Sequence, residues 1–436
     1  MALAVMAPTR IDATVAGLDA WLETMRGPGG YGGPVVHWWQ QSLVFTGPAL
    51  DWRYEGIIAG YLSLWERVGD ARWLVKARRA GDDLVAGQLP DGHFAASAFE
   101  LNPATAGTPH EAAADVGLLR LALALRTAGQ SDWPDFAAAA ERNLRRFYLG
   151  RLWDAEARAF RDSPTTSSFV PNKAATACEA LFLLAEISGD AGPVEEYALP
   201  TLDRLLTHQA RTAGNLDGAI AQNSLGARRV DKYFPIYIAR CVPALVRGYR
   251  WTDDERFLDA AWRAMQFVAR WRYPDGSFPT VVYPNRQVSR DPSWIAPLAE
   301  ILRAADELTP FGFDADLGAT LDRLLGGQDA SGGIQTAGGF AAQAGGHLSS
   351  LPDVRDLLHV AGWCDKAFRY LASQVGPVLP TAKSLPFESA CVFQGRTARL
   401  LETPDRLEVW RGDDARYRWR KGAAWAEVAA PEFWLH

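Results

Sequence analysis

Tyr273-Pro274-Asp275-Gly276-Ser277-Phe278 is a short aromatic turn, and the chain remakes it at intervals. Gln88-Leu89-Pro90-Asp91-Gly92-His93-Phe94 and Asn215-Leu216-Asp217-Gly218-Ala219-Ile220 are close versions. Leu152-Trp153-Asp154-Ala155-Glu156-Ala157 and Gln328-Asp329-Ala330-Ser331-Gly332-Gly333-Ile334 are looser ones. The five aspartates recur at a step of about 60 residues, a period that marks a repeat architecture.

A second marker keeps the same step. Asp70, Asp132, Asp190, Asp253 and Asp314 sit in tight turns between apolar, helix-periodic segments, and Asp70 and Asp190 directly follow a glycine. Glycine ends one helix and aspartate caps the next. Each unit therefore reads helix, tight turn, helix, long loop. Helices are predicted over 50–68 and 71–87, 110–127 and 132–148, and 172–187 with a partner after Asp190. They continue over 233–251 and 255–271, then 292–308 and 315–325. Segments 10–26 and 356–375 are helical but have no sequence neighbour to pair with. Joining them makes a sixth hairpin and closes a ring, which removes the apolar ends that an open solenoid must cap.

The predicted fold is an all-α (α/α)6 toroid over residues 1–385. A small antiparallel β appendage over 386–436 follows, read from the short β-rich runs Cys391-Val392-Phe393, Leu407-Glu408-Val409-Trp410 and Tyr417-Arg418-Trp419-Arg420.

Composition narrows the function. The 436 residues are 48% hydrophobic, enough for one large core. The net charge is −6 and no basic face is evident, so nucleic acid is not an expected partner. No run of about 18 apolar residues predicts a membrane span. The first residues are too short an apolar run for a signal peptide. Cys178, Cys241, Cys364 and Cys391 are dispersed in apolar contexts and read as buried thiols in a reducing cytoplasm. No phosphate loop, dinucleotide fingerprint or His/Cys metal spacing occurs, so no cofactor is implied. The 17 tryptophans are many, and several lie near Gly, Pro and Asp in loops, where aromatic planes meet ligands.

In a toroid the tight turns share one face and the long loops share the other. Function is expected where the long loops meet the N-termini of the inner helices, because loops there can be polar and the helix dipoles favour anions. The positions in question are His37-Trp38-Trp39, Asp51-Trp52-Arg53-Tyr54-Glu55, His110-Glu111 with Asp115, Asn172-Lys173, Arg229 with Asp231-Lys232-Tyr233, and Trp294. Asp51 alone reads as a helix cap. Glu55 stands in an otherwise apolar stretch and must be paired or functional. Glu111 and Asp115 are one turn apart, so their repulsion would raise one pKa, as a general acid requires. His359 reads as a satisfied buried histidine. The repeated Asp-Gly turns read as locks between repeats, so Asp91 and Asp275 are not assigned to catalysis.

The helix pairing, the Gly-Asp turns and the start Asp51-Trp52-Arg53-Tyr54-Glu55 resemble the toroidal carbohydrate-active enzymes: unsaturated-uronyl hydrolases, sugar 2-epimerases and toroidal polysaccharide lyases. The resemblance implies a small-molecule or oligosaccharide substrate and says nothing of oligomeric state. Trp38, Trp39, Trp52 and Trp294 would then stack on sugar rings, with His37, Asp115, Asn172 and Lys232 beside them. Arg53, Lys173 and Arg229 would hold carboxylates of an acidic sugar. A hydrolase would draw two carboxylates from Asp51, Glu55, Glu111 and Asp231. A lyase or epimerase would use Tyr233 or His110 as base and Arg53 or Lys173 to stabilise an enolate. A non-catalytic glycan-binding ring is a third reading. The Gln88…Asp91-Gly92…Phe94 and Gln328-Asp329…Gly332-Gly333 turns also resemble the repeats of triterpene cyclases, which would imply a sealed apolar chamber.

Overall fold

The computed structural model describes residues 9–36, 42–46, 48, 50–94, 112–285, 287–340, 352–422 and 432–434. Six helices form an inner ring: α2 (Arg53–Val68), α4 (Ala112–Thr127), α6 (Pro171–Ser188), α8 (Pro235–Thr252), α10 (Leu298–Leu308) and α12 (Ala361–Ala372). Each packs against the next, and α12 packs against both α10 and α2, so the ring closes. Among the described residues six longer helices lie outside: α1 (Arg10–Thr24), α3 (Ala71–Ala86), α5 (Trp133–Arg142), α7 (Leu199–Leu206), α9 (Glu255–Arg270) and α11 (Gly318–Gly326). This is an (α/α)6 toroid, and α1 pairs with α12 as the sixth hairpin.

The sequence sorts the two rings. Inner helices touch neighbours on all sides and are apolar nearly all round; in α6 only Lys173, Glu186 and Ser188 escape burial. Outer helices are amphipathic: α9 buries Phe257, Ala260, Ala261, Ala264, Met265, Phe267 and Val268 at helical spacing. At the tight turns Gly69 and Gly189 take left-handed backbone, and Asp253 does the same at φ 56°.

The repeated aromatic turn holds each hairpin to the next outer helix. Gly276 has φ +79°, and a Cβ there would stand 2.2 Å from the Ala319 carbonyl oxygen on α11. Gly92 against Arg142 of α5, Gly218 against Arg263 of α9 and Gly332 against Gly17 of α1 repeat that approach. A glutamine staples three of the four. Gln88 Nε2 donates to Gly92 O at 3.0 Å and Ala139 O at 2.7 Å. Gln209 Nε2 donates to Gly218 O and Ala260 O, and Gln328 Nε2 to Gly332 O and Thr14 O. In the Gly276 turn Thr320 Oγ1 reaches Gly276 O instead, at 3.0 Å. Asp154 belongs to a different device, a hairpin pairing Trp153–Asp154 with Ala159–Phe160.

Several expected boundaries differ. The helix expected from Pro292 starts at Leu298, because Ser293 and Trp294 pair with Gly338 and Ala337 and the backbone stays extended. Asp314 does not cap α11; Asp316 accepts from the Gly318 N–H at 3.3 Å. The segment expected as one helix over 356–375 is a 3-10 turn, Val354–Leu357, and then α12, separated by extended Leu358 and Val360. The helix after Asp132 continues past Arg142 as a π-helix, Asn143–Leu149.

The appendage is a four-stranded meander: Phe387–Phe393, Arg396–Glu402, Arg406–Arg411 and Asp414–Arg420. Its docked face buries Ala398, Leu400, Leu407, Val409 and Trp419. The last described strand, Glu432–Trp434, leaves it and pairs with Ser42–Thr46, which also pairs with Gly33–Val36. Among the described residues no helix is long and apolar enough to cross a membrane.

Candidate functional site

Charged residues fill the bore. α2 contributes Glu55, α4 Arg120, α6 Glu179, α8 Arg240, α10 Glu300 and Arg303, and α12 Asp365, Lys366 and Arg369. Acidic and basic side chains therefore meet across the axis. Glu55 binds Arg240 at 2.9 Å, Lys366 at 3.3 Å and also Arg369. Glu179 binds Arg303 at 2.9 Å and Arg120 at 3.2 Å, and Glu300 binds Arg369 at 2.5 Å. Burial works against every one of these charges. The arginines and Lys366 outweigh it for the acids, so Glu55, Glu179 and Glu300 all titrate below the usual carboxylate range. Asp365 is the exception. Burial pushes it up to about 7, although Lys366 lies 2.8 Å away.

Above this network, at the N-terminal ends of the inner helices, stands an aromatic group. Trp52 meets Trp363 edge to face at 4.9 Å, Trp363 meets Trp294 at 5.5 Å, and Trp294 meets Phe340 at 6.2 Å. Lys366 Nζ lies 4.6 Å from the Trp52 ring centroid and donates to Trp52 O at 3.2 Å. The indole N–H groups of Trp294 and Trp363 find no acceptor among the described residues. Asp291, three residues before Trp294, is partly exposed and faces Gly339.

The residues singled out from sequence divide by environment. His37, Trp38, Trp39, His110 and Glu111 lie outside the described residues. Trp52 and Trp294 come together through Trp363, which the sequence reading missed. Asp51 and Arg53 form a buried pair at 2.9 Å, and Asp51 also accepts from the Arg53 backbone N–H. Glu55 is the centre of the ion network, not a group open to solvent. Asp115 is fully buried at the start of α4, and Asn172 lines a small crevice with Gln222, Phe234 and Tyr237. Lys173 pairs with Asp162 at 3.0 Å. Arg229 and Asp231 pair at 2.6 Å next to exposed Lys232, on the hairpin of Asn223–Leu225 and Arg228–Val230. Tyr233 turns its ring to Phe267 of the outer helix α9, at 6.1 Å, and burial raises its hydroxyl pKa. The charged bore is not the sealed apolar chamber that a cyclase-like reading requires. His359 is buried and satisfied as expected, between Asp329 and Glu402.

Neither a family model nor a curated relative matches the chain. Solved structures do. An unsaturated glucuronyl hydrolase specific for heparin superposes with TM-score 0.59 at 13% identity, over 84% of this chain and 95% of that one. Cellobiose 2-epimerase from Bacillus thermoamylovorans B4167 gives 0.56 at 11% identity, over 82% and 98%. The GH76A α-1,6-mannanase of Salegentibacter sp. HEL1_6 gives 0.52 at 11% identity, over 84% and 99%. These likenesses establish the toroid, the fold that the sequence repeats had indicated.

Proposed function

We propose that the chain is a carbohydrate-active enzyme, a glycoside hydrolase that takes an oligosaccharide at the loop face of the ring. The observation that carries this reading is the Trp52–Trp363–Trp294 group at the N-terminal mouth of the inner helices. Indole planes match the apolar faces of sugar rings. The neighbours whose names record sugar substrates share the toroid, which fits this reading as analogy.

Two carboxylates do the chemistry of a hydrolase. Asp51, Glu55 and Asp231 are each committed to an ion pair. We assign the acid-base roles to Glu111 and Asp115, which the sequence sets one helical turn apart. α4 carries the buried Asp115 in its first turn, and its Gly117 packs on Glu55 and Ile58 of α2.

The test is a screen of neutral and acidic oligosaccharides, read for new reducing ends and for the ultraviolet absorbance of unsaturated uronates. New reducing ends that vanish in Asp115→Asn support the hydrolase. Absorbance from unsaturated products would replace it with a lyase. Binding without turnover would make the ring a glycan-binding module, and silence in all three overturns the reading.

A further inference from the structure

The opposite, tight-turn face of the ring carries a second cavity, of about 290 Å³. Four guanidinium groups line it, Arg120 from α4, Arg250 from α8, Arg303 from α10 and Arg369 from α12, against two carboxylates, Asp306 and Glu307. The arginines arrive from four different helices, so ring closure itself brings them together. On its inner side this layer meets the bore network: Arg120 and Arg303 pair with Glu179, and Arg369 pairs with Glu55 and Glu300. Arg250 reaches Glu307 at 3.7 Å, and half of its side chain is exposed. Arg303 is nine-tenths buried; among the described residues its Nη1 makes no hydrogen bond and lies 3.8 Å from Glu300, and Arg369 Nε makes no hydrogen bond either. Burial lowers the pKa of Arg120 and of Arg369, and neighbouring guanidinium groups, Arg303 in both cases, add to the depression.

We propose that this cavity binds a small phosphate-type oxoanion, held between Arg120, Arg250, Arg303 and Arg369. Guanidinium groups present planar paired donors to phosphoryl oxygens. Ser63 adds a hydroxyl on the rim, where the Ser373 hydroxyl donates to Tyr370 O at 2.7 Å. The site lies on the opposite face from the tryptophans and does not depend on the carbohydrate reading.

The experiment is calorimetric titration of the full chain with inorganic phosphate and, separately, with glucose 6-phosphate, at constant ionic strength set with chloride. The parent should bind phosphate. Arg250→Ala and Arg120→Gln should each weaken binding about tenfold, while Arg145→Ala, on the outside of the ring, should leave it unchanged. Arg250 is half exposed, so its variant folds even if Arg120→Gln does not. Tighter binding of the ester identifies the source as a phosphorylated metabolite; equal binding identifies the free ion. Heat no larger than in chloride alone, or equal affinity in parent and Arg250→Ala, overturns the proposal.

Discussion

Gly332 lies so close to Gly17 that a Cβ on Gly332 would stand 2.2 Å from the Gly17 carbonyl oxygen. The two residues belong to opposite ends of the chain, and the contact is where the ring closes. Gly332→Ala should therefore do more than strain a turn at φ +93°. It pushes α1 away from its neighbour, and we expect a loss of at least about 2 kcal/mol in urea unfolding. Gly69 also has a positive φ, +75°, but nothing within 4 Å of an added Cβ, so the loss in Gly69→Ala should be smaller. Equal losses would mean that the close approach is unimportant.

Glu55→Gln should cost about 3–5 kcal/mol, because it strips the shared anion from Arg240, Lys366 and Arg369 inside the bore. Asp365→Asn should behave in the opposite sense. Asp365 holds its proton up to about pH 7, so ionising it opposes folding as pH rises from 3.8 through 7. Above pH 7 the asparagine variant should match or exceed the parent. Denaturant midpoints at pH 5.5 and 8 check both.

The appendage should be held to the ring in a defined pH window. Glu402 accepts from Trp21 Nε1 at 2.7 Å and from Lys421 at 2.6 Å, and pairs with His359 at 2.9 Å. Burial opposes the His359 charge, but Asp329 and Glu402 lift its pKa to about 9 from 6.5. Its stabilisation is complete below pH 6.5 and is lost as pH rises through 9. Burial likewise opposes the Glu402 charge, yet Lys421 and His359 bring it down to about 2 from 4.5. Its contribution is complete above pH 4.5 and fades as pH falls through 2. The Tm should plateau between pH 4.5 and 6.5 and decline on the alkaline side, and Glu402→Gln should flatten that decline. An unchanged alkaline limb in the variant would dissociate the cluster from stability.

Trp363→Phe tests the aromatic mouth. The ring is kept but the indole N–H and part of the contact with Trp52 and Trp294 are lost. On an oligosaccharide substrate kcat/KM should fall about tenfold or more, with a Tm drop of a few degrees. Full activity in Trp363→Phe would remove the tryptophans from the substrate path.

The ring was legible because its punctuation is local. A glycine that ends a helix and an aspartate after it are visible one unit at a time, and the Asp-Gly turns give the period without any knowledge of packing. The contents of the bore are not local. Glu55 finds Arg369 and Lys366 across nearly the whole chain, and each charge alone reads as an oddity in an apolar helix. The available signal was that every inner helix carries such a charge. Trp294 was placed on a helix because Pro292 resembled a helix start; strand pairing with Ala337 decided otherwise.

The seam between α1 and α12 also fixes an order of events during synthesis. The first helix leaves the ribosome with Val15, Leu18, Trp21 and Leu22 bare, and its partner emerges only after every other hairpin has been made. Until then Gln328 cannot reach Thr14, nor the Gly376 N–H the Asp12 carboxylate. Before that seam forms the chain is an open crescent whose bare α1 face can pair with a second crescent instead of with its own α12.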